Sequence, residues 1–92
     1  MTDIQDPAGV ERELRSMIAG AARLDPEWVG GLPADTELFG PQIALTSLAG
    51  VTLLGAIDAR FGVDVAALDL SLDSLQSIAT LAGFVATHLR SA

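Results

Sequence analysis

The sequence predicts an all-α bundle, and three observations carry that prediction. Half of the residues are hydrophobic but only 4% are aromatic, so the core must be built from Leu, Val, Ile and Ala, which suits helices better than a β-sandwich. Apolar residues recur at spacings of three and four in three separate stretches. No segment of any length alternates with a period of two. Ninety-two residues suffice for one core, so residues 1–92 are read as a single domain, too short for a large enclosed active site with a separate cofactor domain.

The first helix is expected over about 7–23. Asp6-Pro7 places a capping residue before a proline at the first helical position, where its missing N–H is not needed. Val10, Leu14, Met17, Ile18 and Ala21 then fall at helical spacing, with Glu11, Arg12, Arg15 and Ser16 between them. Asp25-Pro26 repeats the signal and opens a single turn through Glu27 and Trp28, which Gly30-Gly31 and Pro33 stop. From Gly30 to Thr46, three glycines and two prolines predict irregular chain, with Leu32, Leu38, Phe39, Ile43 and Leu45 as anchors to the core. A loop of this length inside a small domain carries function or contains short helical turns.

The second long helix, about 47–61, carries Leu48, Val51, Leu53, Leu54, Ile57 and Phe61 on a wide apolar face and stops at Gly62. Its outward positions are read as Ala49, Gly50, Thr52, Gly55, Asp58 and Ala59. Val63-Asp64-Val65 is extended or turn-like, and a short helical piece follows within 66–77, with Asp69, Ser71 and Asp73 as candidate starts. The last helix, about 77–89, places Ile78, Leu81, Ala82, Val85 and Leu89 on one stripe. Four helices are expected, three long and one short.

Composition excludes several functions. The net charge of −7 repels a phosphate backbone and anionic lipid, so neither nucleic acid nor membrane is an expected partner. Without cysteine there is no disulfide framework, thiolate metal site or cysteine nucleophile. Met1-Thr-Asp-Ile-Gln-Asp lacks the basic start and apolar run of a secretory signal, and no segment approaches the roughly 20 apolar residues that span a bilayer, so a cytoplasmic protein is expected. All five basic residues are arginine, which with the Ala, Gly and Leu richness suggests a GC-rich coding genome.

Ser47 stands where the irregular segment gives way to the second long helix. Two readings of its hydroxyl are open. It caps the helix by accepting from the first-turn N–H groups, or it carries a phosphodiester, since a helix start offers free N–H groups and the positive end of the macrodipole.

The chain resembles the acyl and peptidyl carrier proteins, small acidic four-helix bundles in which a serine opens the second helix and accepts a 4′-phosphopantetheine arm from coenzyme A. Ser47-Leu48 looks like the attachment serine and its leucine, Val51, Leu53 and Ile57 like the core of that helix, and Phe61-Gly62-Val63-Asp64-Val65 like its exit. Asp35-Thr36-Glu37-Leu38 resembles the preceding loop segment, and Ile78 to Val85 the closing helix. The resemblance runs from about Asp35 to Leu89. It implies a bundle of acyl-carrier-protein type, freestanding and monomeric, whose arm carries an acyl or aminoacyl group as a thioester.

The partners it implies are a phosphopantetheinyl transferase, an acyl- or aminoacyl-loading enzyme, and downstream synthase or transferase enzymes. Their docking is expected around Thr46, Leu48, Leu54 and Asp58, with Leu54 as an apolar anchor. The helix carries a single outward acid, while charge gathers in Asp3, Asp6, Glu11, Glu13, Asp25, Glu27, Asp35 and Glu37. Docking by shape and apolar contact is therefore expected over salt-dependent steering.

Two departures from the family pattern stand out. Thr46 occupies the place of the usual aspartate, and a complete Asp73-Ser74-Leu75 lies further on. Only 18 residues follow Ser74 whereas 45 follow Ser47, and the family needs two more helices after its serine. Asp73 and Ser74 are accordingly read as caps of the last helical pieces. The nonstandard Thr46, the sparsely charged helix and the GC-rich bias point to polyketide or nonribosomal peptide assembly. The alternative is an unmodified helical interaction domain in which Ser47 is only a cap.

Other residues receive plain readings. His88, near the last turn of a helix, meets the C-terminal dipole. Trp28 is read as a lid on the core, Phe39 and Phe84 as core, and Met17 as part of the first apolar stripe. Asp69, Ser71 and Asp73 have the early spacing of a calcium loop but lack its glycine and closing glutamate, so no metal site is expected. No catalytic set is visible.

Overall fold

Val10, Leu14, Ile18 and Ala19 turn one side of α1 (Pro7–Ala22) into the core. The computed structural model describes residues 7–91, so the expected cap Asp6, like the acid Asp3, lies outside the described residues. The helix ends through Arg23, held at φ 60°, and the Leu24 N–H closes back on the Ala19 carbonyl at 2.9 Å. In α2 (Pro26–Gly30) the predicted start is present: Asp25 accepts from the Glu27 N–H at 3.1 Å and Pro26 is the first helical residue.

Next come α3 (Ser47–Phe61), α4 (Val65–Leu68), a 3₁₀ turn (Asp73–Gln76) and α5 (Ile78–Ser91). Gly62 ends α3 at φ 70°, its N–H on the Asp58 carbonyl at 2.8 Å. Any residue with a Cβ would be strained there. The short piece expected within 66–77 is two pieces, because the Asp69 carboxylate accepts from the Ser74 N–H at 2.8 Å and folds the chain between them into a turn. Among the described residues no strand occurs; Glu37 and Ser77 form an isolated antiparallel bridge.

The cap of α5 is Ser77, which corrects the assignment to Asp73 and Ser74. Ser77 Oγ accepts from the Thr80 N–H at 3.2 Å, while Thr80 Oγ1 accepts from the Ser77 N–H at 2.9 Å. This reciprocal pair satisfies two donors that the helix start would otherwise leave free. Around the bridge, Leu38 N–H donates to the Gln76 carbonyl and Ile78 N–H to the Thr36 carbonyl, both at 3.2 Å. The long loop is thereby stitched to the entrance of α5.

Helix α1 packs against α2, α3 and α5, and α5 also against the 3₁₀ turn, enclosing one apolar cluster that includes Leu14, Ile18, Leu38, Leu53, Ile57, Ile78 and Leu81. Ile43 and Leu45 are buried loop anchors as expected, with Leu32 half-buried. Phe39 is not an anchor: it is 55% exposed. Leu38 and Phe39 are the central residues of a turn closed by the Gly40 N–H on the Glu37 carbonyl at 3.3 Å, and the turn points Leu38 inward and Phe39 out. Trp28 is likewise no lid, at 45% exposed, because α2 buries only Val29 and the preceding residue projects about 100° away. Phe84 is half-buried against the core.

Arg15 makes a clamp that composition did not reveal. Its Nη1 donates to the carbonyls of Val29 at 2.9 Å and Leu32 at 2.7 Å, while Nε and Nη2 both reach Glu11 Oε2, at 3.0 and 2.8 Å. One planar guanidinium thus ties the end of α2 and the start of the loop to α1. Arg15→Ala is expected to lower stability by about 2 kcal/mol in urea unfolding, since several hydrogen bonds to a charged donor disappear at once. Arg15→Lys should restore only part of this, because one ammonium lacks the fork. The Arg60–Glu13 pair between α3 and α1, at 3.3 Å and exposed, is worth at most about 1 kcal/mol.

Candidate functional site

The loop that precedes α3 is held firmly at its end. Ala44 N–H donates to the Gly40 carbonyl at 2.7 Å, Leu45 N–H to the Leu38 carbonyl at 2.9 Å, and the Leu45 side chain is buried. Thr46 is then extended, with φ −84° and ψ 166°, and its Oγ1 accepts from the Ala49 N–H at 3.0 Å. Of the two readings of Ser47, the geometry removes the cap: Thr46 is the cap, and Ser47 is the first helical residue.

Ser47 is exposed, and its hydroxyl bonds to none of the described residues. The N–H groups of Ser47 and Leu48 also lack partners among them, while those of Ala49 and Gly50 are taken by Thr46. A free hydroxyl beside free helix-start donors suits an attached phosphate. Thr46 supplies the hydrogen bond that an aspartate would supply there, without the charge. Thr46→Ala should therefore cost about 1 kcal/mol of stability, whereas Thr46→Asp should stay within about 0.5 kcal/mol of the wild type, both read by chemical denaturation.

The other Asp-Ser-Leu sequence is arranged quite differently. Ser74 is 7% exposed, and its Oγ is buried without a well-formed hydrogen bond. The neighbouring Asp69 carboxyl is held below the usual carboxylate range, first by the Ser74 N–H it accepts and then by the nearby Ser74 and Ser71 hydroxyls. Ser74 thus contributes polarity to a turn and offers no accessible nucleophile.

The faces of α3 differ from expectation. Gly50, Leu53, Ile57 and Phe61 form the buried stripe, whereas Leu48 and Val51 are 77% and 67% exposed. Three residues apart, these two share the side opposite Leu53. The broad apolar face in the sequence therefore merged two faces of a helix that is apolar nearly all round, and it placed Ala49 and Gly50 outward although they are half-buried and buried. Leu54 is half-buried and packs against the core, while Asp58 is exposed. The exposed Phe39 ring lies beside Gly50, where a Cβ would stand 3.9 Å from its Cζ. A glycine inside the helix was the available signal of that close approach.

His88 lies in α5, three residues before its end. Its Nδ1–H donates to the Phe84 carbonyl at 2.9 Å, and its ring stacks on Phe84 with centroids 4.1 Å apart. It serves its own helix and stands apart from Ser47.

An all-α bundle with an exposed, unbonded serine opening a long helix is consistent with a carrier-type domain. The family model described as "Phosphopantetheine attachment site" matches residues 12–85, and the chain belongs to that family. The family's domain is the site of covalent 4′-phosphopantetheine attachment, and its members are carriers rather than catalysts. They work with a phosphopantetheinyl transferase and with partner enzymes. Searches of curated proteins and of solved structures returned no significant match. Among the described residues, no helix is long and apolar enough to cross a membrane.

Proposed function

We propose that Ser47 bears the arm, and that this cytoplasmic protein is a monomeric, noncatalytic carrier of acyl or aminoacyl thioesters in polyketide or nonribosomal peptide type assembly. The observation that carries the assignment is the contrast between the two serines. Ser47 is exposed and unbonded at the helix start, whereas the Ser74 hydroxyl is buried. A transferase must bring coenzyme A to the hydroxyl and accept its proton as the Oγ–phosphorus bond forms and the pyrophosphate bond of coenzyme A breaks, releasing adenosine 3′,5′-bisphosphate. That approach is open at Ser47 and closed at Ser74 without unfolding the turn.

When bound, the arm supplies a thiol that holds cargo as a thioester. The chain's own contribution is position. Thr46 fixes the backbone at the attachment point, and tethering raises the effective concentration of cargo at a docked partner. Leu48, Val51 and the neighbouring Phe39 give α3 an exposed apolar ridge, while Asp58 and the half-buried Leu54 lie further along the helix. These features favour docking by shape and apolar contact. The nonstandard Thr46, the sparsely charged α3 and the GC-rich bias of the composition are what support a specialised-metabolism setting.

The rival reading, an unmodified interaction domain with Ser47 as a cap, loses its footing because capping belongs to Thr46. Intact-protein mass after incubation with coenzyme A and a broad-specificity phosphopantetheinyl transferase tests the assignment. One arm on the wild type and on Ser74→Ala, and none on Ser47→Ala, is the expected pattern. Loss of the arm only in Ser74→Ala would overturn it.

A further inference from the structure

Resting on the assignment of the arm to Ser47, we infer that the groove between the end of α1 and the start of α3 receives that arm. Arg23 holds its phosphate, and the last carbonyls of α1 accept from its amide N–H groups. The groove measures about 440 Å3 and is lined by Gly20, Ala21, Ala22 and Arg23 on one wall and by Thr46 and Leu48, the two neighbours of Ser47, on the other. Its size falls within the range of ligand clefts, about 300–1,000 Å3.

Charge separates this groove from the rest of the surface. No carboxylate lines it, although the chain carries −7 overall. Three other grooves each include at least one: Asp35 and Glu37, Asp69 and Asp73, or Glu11. Arg15 and Arg60 are paired with Glu11 and Glu13, whereas Arg23 has no hydrogen bond or ion pair to any described residue. A phosphodiester on Ser47, beside the Thr46 and Leu48 wall, would face an uncommitted guanidinium across the groove, with no competing acid in the lining.

The backbone adds a second feature. Arg23 sits at φ 60°, where glycine is the unstrained residue, so a charged side chain occupies a position that favours none. The Leu24 closure onto Ala19 fixes that residue's direction while leaving the carbonyls of Gly20, Ala21 and Ala22 at the helix end. Pantetheine carries two amide groups, and small side chains let an extended amide chain approach such carbonyls.

The test compares apo protein with protein bearing the free-thiol arm, by heteronuclear NMR on labelled samples whose mass shows one arm. In the wild type, arm attachment should shift the amides of Gly20 to Arg23 and of Ala44, and give cross-peaks from the arm to the Ala21 and Ala22 methyls. Gly20→Leu should abolish those cross-peaks by filling the groove, and its Cβ enters open space, with nothing within 4 Å. Arg23→Gln should weaken them. Shifts confined to 46–49, cross-peaks to another face, or a pattern untouched by both variants would overturn the inference while leaving Ser47 as the attachment residue. Mass that places the arm elsewhere would overturn both together.

Discussion

Ser47→Ala is expected to abolish loading completely while leaving the unfolding free energy within about 0.5 kcal/mol of the wild type. The two halves of this result have separate causes. Loading needs a nucleophilic oxygen at the helix start, and alanine has none. Stability needs the first-turn donors satisfied, and Thr46 Oγ1 does that through the Ala49 N–H. Alanine is the best helix former, so its presence at the first helical position costs nothing. Thr46→Ala should give the opposite balance, with stability lost by about 1 kcal/mol and the nucleophile retained. Equilibrium denaturation combined with intact mass separates the two. A large stability loss in Ser47→Ala would mean that its hydroxyl does structural work that the geometry gives to Thr46.

Leu53→Ala should cost about 2–5 kcal/mol, the largest stability effect expected here. Leu53 is fully buried in the stripe by which α3 joins the apolar cluster, so truncation removes burial and opens a cavity among rigid neighbours. A domain of this size has roughly 5–14 kcal/mol in total, so the variant should remain folded with little reserve, and its urea midpoint should fall sharply. Leu48→Ala makes the control. It lies five residues away on the same helix but is 77% exposed, so its stability should change by less than about 0.5 kcal/mol. Any defect it shows would then belong to recognition by partners.

The contrast between Leu48 and Leu53 shows how far the sequence reached. Helical spacing and the Gly62 stop located the long helices within a residue or two, and Asp25-Pro26 located the start of the short α2, because these signals act through local backbone geometry. The family resemblance singles out Ser47 from the sequence alone. Sequence alone therefore determined the class of fold and the ends of the long helices, and it put Ser47 at the start of one of them. It did not determine which side of α3 faces inward, because a helix apolar nearly all round leaves its phase to its neighbours.

Tertiary structure decided what depends on contacts distant in the chain. Packing of α3 on α1 sorted Leu53 from Val51, and the stitching of the loop to Gln76 and Ile78 buried Leu38 and turned Phe39 out. The Asp69–Ser74 turn buried one serine hydroxyl, while the Thr46 cap left the other free. Arg15 found its carbonyls 14 and 17 residues away, and Arg23 came to stand across a groove from Thr46. Local signals specify where helices begin and end, but accessibility and partnership are set only when those helices pack.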